Sequence, residues 1–277
     1  MGLRRPYDPE TRRRLLALNR RFYDTVVEPF DQTRRAWPPG QRRLLALLPH
    51  GDAQRPLRVA DIGCGNGRLA CILASRGTPV DYVGLDANPA LLALARAHCA
   101  GLPHVQARFV QADLAEAGWS AALNGDRRFD HYFDIVACLA TLQHLPGFDL
   151  RAAAVREMAG LLAPDGLLVL SAWQFLTSER FVAKQVSWAE VGIDETQVEP
   201  GDALLPWAQG GYALRFVHQI DLAELTALAE AAGLALVEHY RADGKEGNLN
   251  LYALLQAAQP RAAPAVPPPE PSSNPEH

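Results

Sequence analysis

Val59-Ala60-Asp61-Ile62-Gly63-Cys64-Gly65-Asn66-Gly67-Arg68 decides how this chain is read. An apolar run breaks into three glycines at alternate positions, with an acid two residues before the first. Glycines at a strand-to-helix junction let the backbone turn tightly and approach a ligand closely. The spacing is GxGxG rather than the GxGxxG of dinucleotide-binding turns, and Asp61 would repel a pyrophosphate. A carboxylate there suits the ammonium of a methionine moiety instead, so the loop points to S-adenosylmethionine and away from NAD.

Working outward, strands and helices alternate. Short β-rich runs are expected at Leu57 to Ile62, Val80 to Leu85, Val105 to Val110, His131 to Leu139 and Leu167 to Leu170. Helical patterns intervene at Arg68 to Arg76, Ala90 to Cys99 and Leu150 to Leu162. Such alternation predicts a parallel sheet with helices on both faces. Arg215 to Gln219, a helix from Leu222 to Ala232, and strands at Ala235 to Tyr240 and Leu249 to Leu255 would complete it, the last two pairing antiparallel. Ahead of the sheet, a helix is expected over Glu10 to Tyr23, whereas Glu28 to Pro39 reads as too irregular and proline-rich to be helical throughout. A short helix follows at Leu44 to Leu48. Ser187 to Gly211 has no clean period and reads as an insertion or lid. The domain layout is thus a basic helical extension (1–50), an α/β Rossmann-like domain (51–256) and a Pro-rich tail (257–277) expected to be disordered.

Two further acids sit at successive strand ends: Asp86, placed for ribose hydroxyls, and Asp113, placed for an adenine amine. Each alone reads equally well as a turn or helix cap. Together with the loop they form a specific constellation. It resembles the class I S-adenosylmethionine-dependent methyltransferase fold: DIGCGNGR (61–68), VGLDANPALL (83–92), FVQAD (109–113), FDIVACLATLQHL (133–145) and LLAPDGLLVLS (161–171) stand where its motifs stand. The resemblance implies a seven-stranded, mostly parallel sheet with the last strand antiparallel. It makes Asp61, Gly63, Cys64, Gly65, Gly67, Asp86, Ala87, Asp113, Leu114 and Leu139 the candidate cofactor-binding residues.

A second resemblance lies outside that core, to the eukaryotic tRNA wobble-uridine methyltransferases that esterify a carboxymethyl group. It rests on Phe22-Tyr23, Asp31-Gln32-Thr33-Arg34-Arg35-Ala36-Trp37-Pro38, Gln143-His144, Trp173, Asp202-Ala203-Leu204-Leu205-Pro206-Trp207 and Arg215-Phe216-Val217-His218. It implies a tRNA-like acceptor and a small zinc-binding activating partner. The chain departs from that pattern where Gln143 replaces a histidine and Phe216-Val217 replace tyrosines, which leaves another modified nucleoside or a small carboxylic acid as alternative acceptors, and a small-molecule O-methyltransferase with the same cofactor site as the alternative reading. Arg34 and Arg215 would orient a carboxylate bidentately, His144 would hydrogen-bond the acceptor, and Trp173 would stack on a splayed base. His218, beside an apolar strand, reads as structural.

Composition bounds the rest. No apolar run exceeds six residues, against the roughly 18–20 of a membrane span, and the first ten residues lack the apolar core of a secretory signal. Cys64, Cys71, Cys99 and Cys138 show no metal-ligand spacing, so reduced thiols in a cytoplasmic protein are expected. The net charge of −4 hides an asymmetry: residues 1–58 hold 13 Arg, no Lys and 6 acids. A basic segment that carries Arg34 and runs straight into the glycine loop suits an anionic acceptor. Besides a methyltransferase, the residues admit a regulatory cofactor-binding module and, least well, a dehydrogenase.

Overall fold

The computed structural model describes residues 7–34, 36–123, 132–209 and 211–258. The expected tail from residue 259 onward, and His131, lie outside them. Two helices, α1 (Pro9–Gln32) and α2 (Pro39–Leu47), precede the sheet. Then β1 (Leu57–Ile62), α3 (Arg68–Ala74), β2 (Val80–Asp86), α4 (Pro89–Cys99), β3 (Val105–Gln111), β4 (Phe133–Leu139), α5 (Phe148–Gly160) and β5 (Leu162–Trp173) follow in alternation. A short α6 (Glu179–Val182) leads into β6 (Asp202–Trp207) and β7 (Ala213–His218), and α7 (Leu222–Ala231), β8 (Leu234–Ala242) and β9 (Asn250–Ala257) close the fold.

The main sheet has seven strands in the order β3-β2-β1-β4-β5-β9-β8, with β9 antiparallel to both neighbours and the others parallel. Side chains alternate between two cores, as the period of two requires. Ala60, Ile62, Val136 and Cys138 face α5 and α7, through Val155, Met158, Leu225 and Leu228. Val59, Ile135 and Ala137 face α2 and α3, through Leu44, Leu69 and Leu73. Strand order reverses between β1 and β4, and that switch point opens a crevice at the carboxyl ends of the strands.

Three sequence expectations need correction. Helix α1 does not stop near Tyr23 but continues through Pro29 to Gln32. Proline removes one backbone donor and crowds the preceding turn, and the helix absorbs this by a local kink at Val26 (φ −111°, ψ 17°). The segment 187–211 contains a strand, β6, and Arg215 to Gln219 does not join the main sheet. Instead β6 and β7 pair with each other, Asp202 opposite His218 and Trp207 opposite Ala213. Finally β5 begins at Leu162, before the turn at Pro164-Asp165-Gly166, because a register shift lets Leu162 pair with Phe133 and Leu167 with Ile135.

The hairpin is bolted to the body by buried charge. Arg151, whose side chain is 0% exposed, donates through Nε to Glu224 (2.8 Å), through Nη2 to Glu199 (2.8 Å) and through Nη1 to the Leu145 carbonyl (2.9 Å). His218 bridges Asp202 (2.7 Å) and Glu224 (2.9 Å) with its two ring nitrogens. Burial alone would push its pKa down, but hydrogen bonds to the two carboxylates outweigh this and the net shift is upward. His218 therefore links α7 to the hairpin as an imidazolium, in line with a structural role. Removing one partner of a buried charge network costs about 3–5 kcal/mol, the loss expected for Arg151→Met in a denaturant titration. With its folded pKa raised, His218 contributes fully below its unfolded pKa of about 6.5 and loses that contribution as pH rises through the folded value. Denaturation midpoints of the protein and of His218→Gln should accordingly differ most near pH 6 and converge at alkaline pH.

Candidate active site

The carboxyl ends of the parallel strands open into a cavity of about 1190 Å³. Its floor is the glycine loop. Gly63, Gly65 and Gly67 all take positive φ (76°, 55° and 77°), the left-handed region that favours glycine. At Gly63 a Cβ would lie 2.3 Å from the Thr141 side chain, so the loop has no room for one there. Asp86, at the end of β2, pins the loop: its Oδ2 accepts from the Gly65 N–H (2.9 Å) and its Oδ1 from the Asn88 N–H (2.8 Å).

Asp61 is buried beneath the loop and accepts from the Tyr82 hydroxyl at 2.6 Å. Burial raises its pKa to about 7 against the opposing pull of that hydrogen bond, and Asp86 adds to the rise. The guanidinium of Arg68, at the start of α3, acts on Asp61 electrostatically and also lines the cavity. A buried acid beside a cation matches the ammonium and carboxylate of a methionine moiety. Buried at the same wall, Gln41 Oε1 and Asn250 Oδ1 have no hydrogen-bond partner among the described residues. The residues present thus fit the cofactor: Asp61 and Arg68 for the methionine end, Asp86 for the ribose.

Of the cofactor residues expected from sequence, all but Gly67 line the cavity. Gly67 sits behind the loop, where a Cβ would lie 3.1 Å from both Ala95 and Cys99, so its smallness serves helix packing. Asp113 lines the cavity, but its carboxylate already accepts from Arg20 (2.8 Å) and from the Ala115 N–H (2.9 Å). Arg20 belongs to α1, which lies across all four strand ends. From this helix Asn19 reaches the His144 carbonyl after β4 (3.2 Å), Asp24 holds Asn88 after β2 (2.9 Å) and Asp31 holds Asn66 after β1 (2.8 Å).

The acceptor side is aromatic and cationic. His144, in a 3-10 turn after β4, uses Nδ1 toward the Phe216 carbonyl (3.1 Å) and Nε2 toward the Tyr23 hydroxyl (2.9 Å). The carbonyl can only accept, which puts the proton on Nδ1 and leaves Nε2 to accept from Tyr23. Burial and the nearby Arg215 push the His144 pKa down to about 4, so the ring is neutral. Arg215 on β7 is 4% exposed, and its guanidinium sits 4.3 Å over the Trp173 ring, 5.1 Å over Phe22 and 5.7 Å over Trp207. It donates to Tyr23, while its Nε has no hydrogen-bond partner among the described residues. Trp173 is no free platform for a base, since Arg215 covers it and Phe181 stacks on it at 6.1 Å. Arg34 lines the cavity from the end of α1, with its guanidinium 4.4 Å over Phe30.

Tyr23, Arg68 and Asn19 are the site residues to which the sequence reading gave no role, although Phe22-Tyr23 stood among the motifs of the second resemblance. Arg68 stood inside the glycine motif, and Tyr23 lies one helical turn from both Asn19 and Arg20 on the cavity face of α1.

Comparison with known proteins agrees with this geometry. Residues 59–166 match the family model "Methyltransferase domain". The chain is 31% identical over 191 residues to the ubiquinone biosynthesis O-methyltransferase of Thiobacillus denitrificans, covering 68% of this chain and 69% of that one. It is 30% identical over 237 residues to the trans-aconitate 2-methyltransferase of Methylobacterium radiotolerans, covering 82% and 78%. With the ubiquinone biosynthesis O-methyltransferase of Neisseria meningitidis serogroup C it shares 35% identity, and the match spans about half of that enzyme's length (49%). In fold it is similar to the CcbJ methyltransferase of Streptomyces caelestis (TM-score 0.59, 20% identity, 86% of this chain and 98% of that one). This chain belongs to the class I S-adenosylmethionine-dependent methyltransferases. The relatives just described are not wobble-uridine enzymes.

Replacing Asp61 by Asn should weaken cofactor binding about 10- to 100-fold, the usual worth of a charge-assisted hydrogen bond. With a free-protein pKa of about 7, only about a tenth of Asp61 is ionised at pH 6. Cofactor affinity measured by calorimetry should therefore rise about tenfold from pH 6 to pH 8, with a proton released on binding at the lower pH. Asp61→Asn should lose that pH dependence.

Proposed function

We propose that this chain methylates a carboxylate oxygen of a small molecule. The observation that carries the reading is the pairing of uncompensated cations with a His144 and a Tyr23 that are both poor bases, among the described residues. A hydroxyl acceptor needs a group to take its proton. His144 is neutral with a pKa near 4, its Nε2 accepts from Tyr23 and its Nδ1 is held by Phe216. Tyr23 is itself pushed further from ionisation by burial. A carboxylate arrives already ionised and needs no base. What it needs is orientation and charge complementarity: Tyr23, backed by Arg215, offers the first, and the Arg34 guanidinium in the same cavity adds to the second.

S-adenosylmethionine supplies an electrophilic sulfonium methyl, transferred while the carbon–sulfur electron pair stays on sulfur. The chain's part is to bind, align and exclude water. Tyr23, fixed between His144 and Arg215, presents a hydroxyl of settled orientation to the acceptor. Helix α1 covers the cavity above it. The relatives support a small acceptor, since their names concern ubiquinone biosynthesis and trans-aconitate. The tRNA reading lacks the free stacking platform that Trp173 would have given it.

Labelled S-adenosylmethionine incubated with the protein and a metabolite extract should yield alkali-labile methyl esters of small acids. Label retained in RNA, or in alkali-stable methyl ethers, would overturn the reading. At saturating cofactor and acceptor, kcat should be flat between pH 6 and pH 8, because His144, with its pKa held down to about 4, is neutral throughout that range and burial pushes Tyr23 further from ionisation. Arg215→Met should lower kcat/KM about 10- to 100-fold while leaving the denaturation midpoint unchanged or raised, since a buried cation lacking a carboxylate partner is costly to fold around.

A further inference from the structure

Several guanidinium groups are paired with acids, Arg20 with Asp113, Arg12 with Asp149, Arg58 with Asp134, and Arg151 with Glu199 and Glu224, and others, such as Arg76, Arg96 and Arg241, bond backbone carbonyls. Three at the cavity do neither among the described residues. Arg34, Arg68 and Arg215 have no carboxylate within salt-bridge distance among the described residues. They also repel one another, Arg34 acting on both Arg68 and Arg215. Arg68 lies by Asp61, where a bound methionine carboxylate would compensate it. Arg34 and Arg215 remain, and both act on Tyr23, the residue bound to His144.

Resting on the carboxylate reading above, we infer that the acceptor is a dicarboxylate, with one carboxylate methylated beside Tyr23 and His144 and the second held by Arg34. A monocarboxylate seated at Tyr23 leaves the Arg34 guanidinium, which lines the cavity, uncompensated. Esterification then removes even that single negative charge, because the carboxylate oxygen becomes neutral as it takes the methyl group. A second carboxylate that does not react keeps its ion pair from binding through product formation. Arg34 is built for that task. Its guanidinium rests on the Phe30 ring, and Nη1 donates to Thr33 Oγ1 at 3.1 Å. Arg34 itself lines the cavity, and a planar fork there can meet a carboxylate bidentately. Arg215, almost wholly buried behind Trp173, acts through Tyr23 and is a positioning residue.

The test compares acids of matched skeleton as acceptors for labelled methyl transfer: butyrate with succinate, crotonate with fumarate, and hexanoate with adipate. The dicarboxylate of at least one pair should show a kcat/KM about 10- to 100-fold above its monocarboxylate partner. Arg34→Gln should abolish that preference by raising KM for the dicarboxylate at least tenfold more than for its monocarboxylate partner, and Arg34→Lys should restore part of it. Equal kcat/KM within every pair, or an Arg34→Gln effect equal on both members, would overturn the inference and leave the carboxylate reading standing. Methylation of none of the six acids, with label from a metabolite extract entering alkali-stable products, would overturn both.

Discussion

One helix laid over four strand ends is the constraint on which the site depends. Helix α1 places Asn19, Arg20, Asp24 and Asp31 along one face at helical spacing, and each grips a loop that follows a different parallel strand. Parallel strands deliver their loops to one edge of the sheet, so a single helix can reach all of them. The consequences are electrostatic as much as steric. With α1 in place, Asp61 and Asp86 sit in a desolvated pocket that raises both their pKa values. Tyr23 is likewise carried from α1 to the end of β4, where it meets His144.

Charge inside this enclosure is left for ligands to balance. A fold assembled for stability alone pairs its buried ions, and the network of Arg151, His218, Glu199, Asp202 and Glu224 does so within the chain. At the cavity, an acid raised toward neutrality and guanidinium groups whose pKa values are lowered by burial are set against each other without closing the account. Such an arrangement destabilises the free protein and is relieved by whatever brings the missing charges. The zwitterionic end of S-adenosylmethionine suits the Asp61 and Arg68 side, and an anion suits the Arg34 and Arg215 side.

Local periodicity and turn chemistry made the sheet legible in the sequence. Strand and helix patterns near residues 57–110 matched the structure to within two residues because each element there is short, apolar and bounded by Gly, Pro or Asp. Helix α1 was misread at Pro29, since a proline's local cost is visible in sequence while the tertiary contacts that offset it are not. The strands β6 and β7 were missed as a pair because their partner is each other, and the anchoring cation, Arg151, comes from far away along the chain. Tyr23 and Arg68 are ordinary residues in their own segments, and only the crossing of α1 over the loop gives them chemistry.

His144 shows most sharply how position alone misleads. At the end of β4 its place invites the role of a base, but the Phe216 carbonyl and the Tyr23 hydroxyl occupy both ring nitrogens. Arg215 makes protonation still less favourable. The same guanidinium that would welcome an anionic acceptor therefore keeps the imidazole neutral, and a neutral imidazole can hold the Tyr23 proton in a fixed direction. Both effects push the chemistry the same way. On the carboxylate reading proposed above, a site that suppresses its own base and concentrates cations would suit a nucleophile that enters with its negative charge already formed better than one that must first lose a proton.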